Sequence, residues 1–217
     1  MSTLQPSSSP TVAVIDYQAG NVRSVEKALE RSGARALLTS DAGEIASADG
    51  VLFPGQGACD SSMRQLRKRG LVDPIRRSIE GGKPFLGVCL GLQLLLDESD
   101  EGSEPCLGVI RGRVRRFPPG GKVPHMGWND VKLSIDHPVF GGVPREGAHF
   151  YFVHSYYADP EDDAIVAGTT SYGLDFCSAV AWDNVAAVQF HPEKSGPTGL
   201  RLYSNFVDLV RASQDAG

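Results

Sequence analysis

The spacing of apolar positions changes character midway along this chain, and its two halves predict different elements. Residues 11–17 form a β-branched, apolar run that reads as a buried first strand. Val22, Val25 and Leu29 then recur at helical spacing with charges opposite, and Gly33 stands where that helix should end. Residues 34–39 read as a second strand, and 50–53 as a third closed by a Pro54-Gly55 turn. Met63, Leu66, Leu71, Ile75 and Ile79 predict one or two helices stopped by Gly81-Gly82. Residues 84–88 are again apolar and extended, and Leu90, Leu92, Leu94, Leu95 and Leu96 predict a helix directly behind them. Strands alternating with helices imply a parallel sheet covered on both faces, with ligands at the carboxyl ends of its strands.

The later half reads differently. Short strand candidates at 113–117, 131–135, 150–157, 164–168, 176–182 and 185–190 are separated by Gly, Pro, Asp and Asn turns. Asp183-Asn184 forms a hairpin connection between the last two. A closing helix carries Leu200, Tyr203, Phe206, Val207 and Val210. The expected fold is one three-layer α/β domain over residues 11–212, its central sheet mostly parallel with an antiparallel portion in the second half. Residues 1–10 are Ser/Pro-rich, lack a basic start and lack an apolar core, and so read as a disordered leader, not a signal peptide.

Composition narrows the classes of function. At about 100–200 residues per domain, a chain of 217 residues allows one large domain or two small ones, and the element pattern favours one. A net charge of −5 gives no reason to expect nucleic acid or an anionic membrane as partner. No apolar run approaches the roughly 18 residues that a membrane span needs. The cysteines Cys59, Cys89, Cys106 and Cys177 show neither a Cys-x-x-Cys pair nor a histidine at ligand spacing, which argues against a metal site. Without a secretion signal, the cytoplasm is the default compartment and the thiols are expected to be free.

The chemistry concentrates in two segments. Gly87-Val88-Cys89-Leu90-Gly91 is a thiol version of the Gly-x-Ser-x-Gly nucleophile elbow, in which a sharp strand-to-helix turn exposes the nucleophile. The turn also aims the helix dipole at it and offers the next backbone N–H as an oxyanion donor. A cysteine is only a few per cent thiolate at neutral pH, so it needs an activating base. Gln189-Phe190-His191-Pro192-Glu193 supplies an imidazole and a carboxylate. Pro192 biases His191 towards an extended backbone, and residues two apart in an extended segment share a side. His191 and Glu193 are therefore expected to meet, the carboxylate fixing the ring's tautomer. A lone buried cysteine is ordinarily a small packing residue, and Cys106 and Cys177 are read as such.

Gly87-Val88-Cys89-Leu90-Gly91-Leu92-Gln93, together with His191-Pro192-Glu193, resembles the class I (triad) glutamine amidotransferases, whose fold is flavodoxin-like. Further segments look like the HisH branch, the glutaminase subunits of imidazole glycerol phosphate synthase. These are Asp16-Tyr17 with Gly20-Asn21, Pro54-Gly55-Gln56-Gly57-Ala58, His125-Met126-Gly127-Trp128-Asn129 and His191 to Gly196. Related amidotransferases usually carry a Gly-Gly-Pro loop where this chain has Pro-Gly-x-Gly. Departures from the branch are Gln56, where a small apolar residue is common, and Cys59, where an aromatic is common.

The resemblance implies that the Cys89 thiolate attacks the side-chain amide of glutamine, with His191 as acid and base and Glu193 orienting it. The oxyanion hole would draw on Gly55, Gln56, Gly57 and Leu90. Gln93, Glu101, Ser155 and Tyr156 would hold the substrate, Glu101 meeting its ammonium group. No metal or organic cofactor is implied. The ammonia would pass to a separate (β/α)8-barrel cyclase subunit, HisF, in a heterodimer, with Met126, Trp128, Asn129, Tyr151 and Lys194 at the interface. One peptide of the 55–57 loop would turn its N–H inward only when the cyclase is loaded. The residues themselves leave open another triad amidotransferase such as the pyridoxal phosphate synthase glutaminase, a cysteine peptidase of similar architecture, and a subunit that only binds and regulates a partner.

Overall fold

The computed structural model describes residues 9–18, 20 and 22–215. Residues 1–8 of the expected leader, and Asn21 of one motif, lie outside the described residues. Pro10 is buried, and its carbonyl accepts the Arg35 N–H at 2.8 Å.

The first half is β1 (Thr11–Ile15), α1 (Arg23–Arg31), β2 (Arg35–Thr39), α2 (Ala42–Ser47), β3 (Gly50–Gly55), α3 (Cys59–Lys68), α4 (Val72–Glu80), β4 (Phe85–Cys89) and α5 (Leu90–Gln93). The second half is β5 (Glu98–Ser99), β6 (Gly112–Arg116), β7 (His125–Leu133), β8 (Ala148–His154), β9 (Tyr156–Pro160), β10 (Val166–Ser171), β11 (Asp175–Trp182), β12 (Val185–Val188) and α6 (Gly196–Asp215). The main path of the sheet runs β2-β1-β3-β4-β12-β11-β10-β7-β8. Its first five members pair in parallel, and antiparallel pairing begins at β12–β11. A side ribbon of β5, β6 and β9 joins at β11.

Continuous apolar strands make sense in this sheet because alternate residues serve opposite faces. On β1, Val12 and Val14 pack in the core layer that holds Val25 and Leu29 of α1 and Phe206 and Val210 of α6. Ala13 and Ile15 pack on the other face with Ile45 of α2, Met63 and Leu66 of α3 and Ile75 of α4. The result is the three-layer arrangement expected, with both faces covered.

Several local expectations need correction. Pro54 and Gly55 do not close β3 but belong to it, opposite Val88 and Cys89, and the turn follows at Gln56 and Gly57. The predicted helix over residues 90–96 is a single turn. Leu94, Leu95 and Leu96 are buried but leave the helix because Leu107, Gly108, Val109 and Ile110 donate their N–H groups to the carbonyls of those three leucines. The strand at 131–135 starts at His125, so Trp128 sits on β7. The 150–157 strand is two, broken at Ser155. The strand expected at 164–168 begins at Val166, after a 3-10 turn over Asp163–Ile165. Helix α2 has no counterpart in the apolar pattern, since Ile45 is its one buried residue. Its signal is Asp41, whose carboxylate caps the helix by accepting the Glu44 N–H at 2.9 Å. No described helix is long and apolar enough to cross a membrane.

Gly199 of α6 lies so close to the turn after His191 that a Cβ there would sit 1.9 Å from the Pro192 carbonyl oxygen. Gly199→Ala should therefore destabilise the domain by about 1–3 kcal/mol, the usual cost of overpacking. That lowers Tm by roughly 2–4 °C for each kcal/mol. An unchanged thermal melt would show that α6 does not fix this turn.

Candidate active site

Strand β4 delivers Cys89 to the carboxyl end of the sheet with backbone dihedrals of φ 56° and ψ −111°. A side-chain-bearing residue rarely adopts this conformation, and it typically costs about 1–3 kcal/mol. Close packing on neighbouring strands holds the turn in place. A Cβ on Gly91 would lie 2.0 Å from the Phe53 carbonyl oxygen, and one on Gly55 would lie 2.5 Å from the Tyr17 hydroxyl. Only glycine lets the elbow settle against β3. The Tyr17 hydroxyl donates to the Pro54 carbonyl at 3.1 Å, bracing the strand end beside Cys89.

Strand β12 lies parallel to β4, with Val188 opposite Val88, so the chain leaving β12 passes Cys89. The His191 N–H donates to the Tyr151 carbonyl at 2.9 Å. Its backbone is extended, as Pro192 requires, but residues Pro192–Lys194 then form a 3-10 turn. That turn brings Glu193 to the ring, where extended geometry had been expected to do so. His191 Nδ1 and Glu193 Oε1 are 2.8 Å apart, with both side chains buried. Burial alone would lower the His191 pKa; hydrogen bonds to Cys89 and Glu193 outweigh it and carry the pKa up to about 10. Nδ1 faces the carboxylate, which leaves Nε2 for the sulfur.

The one-turn α5 is too short to gather an appreciable dipole, which leaves His191 as the group placed to activate the thiol. The other cysteines are buried, and Cys106 is pulled down as the hydrogen-bond partner of Cys59. Burial pushes Cys177 up to about 12. Cys59 is raised by a hydrogen bond with Cys106 and by burial.

Cys89 and His191 open onto a pocket of about 360 Å³. Its walls include Gln56, Gly57, Leu90, Gln93, Glu101, Ser155, Tyr156 and Lys194. Sequence motifs far apart in the chain thus converge on one space. Gly55 lies behind it, paired with Cys89, and Gly57 takes a φ of 92° at the exposed loop. A larger cleft of about 1100 Å³ lies at the opposite end of the sheet, around Trp182, Asp183 and Asn184, and no cysteine lines it.

The expected substrate residues differ in what they have left to offer. Glu101 lines the pocket while its Oε2 accepts the Cys59 N–H at 2.6 Å, capping α3, so Oε1 is the oxygen available to a ligand. Gln93 is buried, and its amide donates to the Tyr156 carbonyl at 2.9 Å and to Gln189 Oε1 at 3.0 Å. The Tyr156 carbonyl also takes the His154 Nδ1–H at 2.8 Å, which occupies both of its lone pairs. The Ser155 carbonyl accepts the Phe117 N–H at 3.2 Å.

Met126 and Trp128 are 58% and 57% exposed on β7, large apolar groups facing outward. Trp128 pairs across the ladder with Tyr151, their rings edge to face at 6.3 Å, and Lys194 Nζ lies 5.9 Å from the Tyr151 ring. Asn129 points the other way, into a buried pair: its Nδ2 is 3.3 Å from His125 Nε2, and His125 Nδ1 is 2.9 Å from His154 Nε2. Burial pushes these imidazoles down, to about 4 for His125 and about 3 for His154. Sequence reasoning gave neither histidine a role, nor Gln189. The available signal was a polar residue ending the apolar run of β12, two positions before His191.

The family model for glutamine amidotransferase class-I matches residues 13–209. The chain is 50% identical over 203 residues to the imidazole glycerol phosphate synthase subunit HisH of Synechococcus sp. (strain JA-3-3Ab), covering 92% of this chain and 94% of that protein. It is 49% identical over 207 residues to the HisH subunit of Moorella thermoacetica, covering 95% and 98%. A crystal structure of a glutamine amidotransferase superposes with a TM-score of 0.72 at 24% identity, covering 92% and 98%, and shows the same fold.

The buried histidine pair generates a pH dependence. Unfolded, both rings take up protons near the ordinary value of about 6.5. Their folded values are depressed, so the stability they confer is complete above about pH 6.5 and is lost as pH falls through about 4 and 3. Urea denaturation at a series of pH values should show this decline, and His154→Asn should flatten it. Equal slopes for the two proteins would contradict the assignment.

Proposed function

Because the chain belongs to the HisH family of class-I glutamine amidotransferases, we propose that Cys89, His191 and Glu193 perform its glutamine hydrolysis. The protein is the glutaminase subunit of imidazole glycerol phosphate synthase, an enzyme of histidine biosynthesis. The observation that carries the residue assignment is the shared pocket of Cys89 and His191, with Glu193 on the far side of the ring.

In this reading the sulfur anion adds to the side-chain amide carbon of glutamine. The resulting oxyanion takes N–H groups from Leu90 and the 55–57 loop, donors typically worth about 2.7–4 kcal/mol each in such sites. His191 gives its proton to the nitrogen as the carbon–nitrogen bond breaks, and ammonia departs, leaving a glutamyl thioester on Cys89. The same imidazole then takes a proton from water as the oxygen attacks the thioester, and glutamate leaves. Glu193 holds the ring throughout. The free oxygen of Glu101 suits the ammonium of the bound glutamine, and Gln56 and Gly57 form the loop over it.

The synthase has a second subunit, which we propose is the barrel cyclase HisF. Exposed Met126 and Trp128, backed by Tyr151 and with Lys194 nearby, supply an aromatic anchor of the kind found at interface hot spots. In the same reading a loaded cyclase turns a peptide of the 55–57 loop into the oxyanion hole. The four free cysteines suit a reducing compartment such as the cytoplasm.

Cys89→Ala should abolish glutamine-dependent synthesis in the complex while ammonia-dependent synthesis persists. Retention of glutaminase activity by that variant would remove the assignment. Trp128→Ala should weaken the subunit complex by about 2 kcal/mol or more, read as a Kd by titration calorimetry. An unchanged Kd would place the interface elsewhere.

A further inference from the structure

Gln189 lies fully buried between the nucleophile and the pocket wall, one residue past the end of β12. Its Nε2 is 3.8 Å from Cys89 Sγ, a donor–sulfur contact. Its Oε1 accepts from Gln93 Nε2 at 3.0 Å. Which end of each amide faces which partner follows from the Tyr156 carbonyl, which can only accept. Gln93 Nε2 donates to that carbonyl, and its Oε1 takes the Cys59 thiol at 3.8 Å. With the Gln93 amino group fixed, Gln189 must turn its oxygen to Gln93 and its N–H to the sulfur. Reversing Gln189 would set N–H against N–H and an oxygen lone pair against Cys89.

The same direction runs back to the β7–β8 face. Asn129 is oriented by the Asp130 N–H on its oxygen at 2.9 Å and by donation to the Ser171 carbonyl at 3.0 Å. Its amino group therefore faces His125 Nε2, which must accept. The His125 proton then sits on Nδ1 and is donated to His154 Nε2, leaving the His154 proton on Nδ1 to meet the Tyr156 carbonyl. Every donor has one partner that can accept, and a second proton on either ring would break the sequence.

We propose that Gln189 is a positioning residue for glutamine hydrolysis: its N–H, aimed by Gln93 and the Tyr156 carbonyl, holds the sulfur of Cys89 and favours its anionic form. This inference rests on Cys89 being the nucleophile. Of the titratable groups around the sulfur, His191 serves as its acid and base partner, Tyr17 donates its hydrogen bond to the Pro54 carbonyl and is kept neutral by burial, and Glu101, Tyr156 and Lys194 line the same pocket. Gln189 is the uncharged donor on the remaining side.

The test uses the full chain in complex with the cyclase. Gln189→Glu retains the acceptor for Gln93 but removes the donor to sulfur, and Gln189→Met removes both. Each should lower kcat for glutamine by about tenfold or more, as loss of a hydrogen bond to a charged group does, with KM unchanged. The pH profile for alkylation of Cys89 by iodoacetamide, followed by peptide mass spectrometry, should move up by about one unit. Ammonia-dependent synthesis should stay at the wild-type rate, showing that the fold and complex are intact. Should neither variant fold, Gln93→Glu decides, since its carboxylate draws the Gln189 amino group away from sulfur and should move the alkylation profile the same way. Wild-type kcat and an unmoved profile, with Cys89→Ala inactive, would overturn the inference and leave the catalytic assignment standing. An active Cys89→Ala would remove both.

Discussion

The parallel ladder between β4 and β12 is the constraint on which the rest of the structure depends. It sets Phe85, Leu86, Gly87 and Val88 opposite Val185, Ala186, Ala187 and Val188. The paired residues are 100 apart in sequence, yet the pairing ends both strands at the same edge. There β4 turns sharply into Cys89 and β12 runs on to Gln189 and His191. A slip of one residue would turn the side chains beyond the ladder to the opposite faces of the sheet. Small residues hold the strands close: a Cβ on Gly87 would sit 2.8 Å from the Ala187 Cβ. Stability of the sheet and placement of the candidate nucleophile and base are therefore the same physical fact.

Around that edge the protein organises polarity without leaving it unpaired. Among the described residues, every buried side-chain nitrogen and oxygen has a hydrogen-bond partner. Glu193 is buried against His191 and also lies 3.5 Å from the Tyr203 hydroxyl of α6. Ser195 ties the turn down by donating to the His191 carbonyl at 2.6 Å while accepting the Tyr151 N–H at 3.0 Å. Because Tyr151 also packs on Trp128, the backbone that holds the base is continuous with the exposed apolar face of β7 and β8. The candidate base and the exposed apolar face share one short stretch of structure.

Much of this was legible in the residues, for identifiable reasons. Apolar runs with β-branched residues located β1, β3, β4 and β12, since central parallel strands have no solvent face to encode. The elbow and the His-Pro-Glu segment were legible because each needs glycine or proline at a fixed position. Lost from view was whatever long-range pairing decides. Five leucines after Cys89 look helical, yet the carbonyls of Leu94, Leu95 and Leu96 are taken by the 107–110 loop, which no local pattern announces. The pairing of His125 with His154 was not legible because it arises only across the β7–β8 ladder. Gln93 lines the pocket with Cys89, and the bonds of its amide to Tyr156 and Gln189 are again long-range contacts.

The central claim is that the fold makes one thiol of four reactive by setting His191 beside it. Labelling with an electrophilic glutamine analogue, mapped by peptide mass spectrometry, tests it directly. The account predicts modification at Cys89 alone, with Cys59, Cys106 and Cys177 untouched, and a large loss of labelling rate in His191→Gln. Modification of a different cysteine, or an equal rate in that variant, would contradict it.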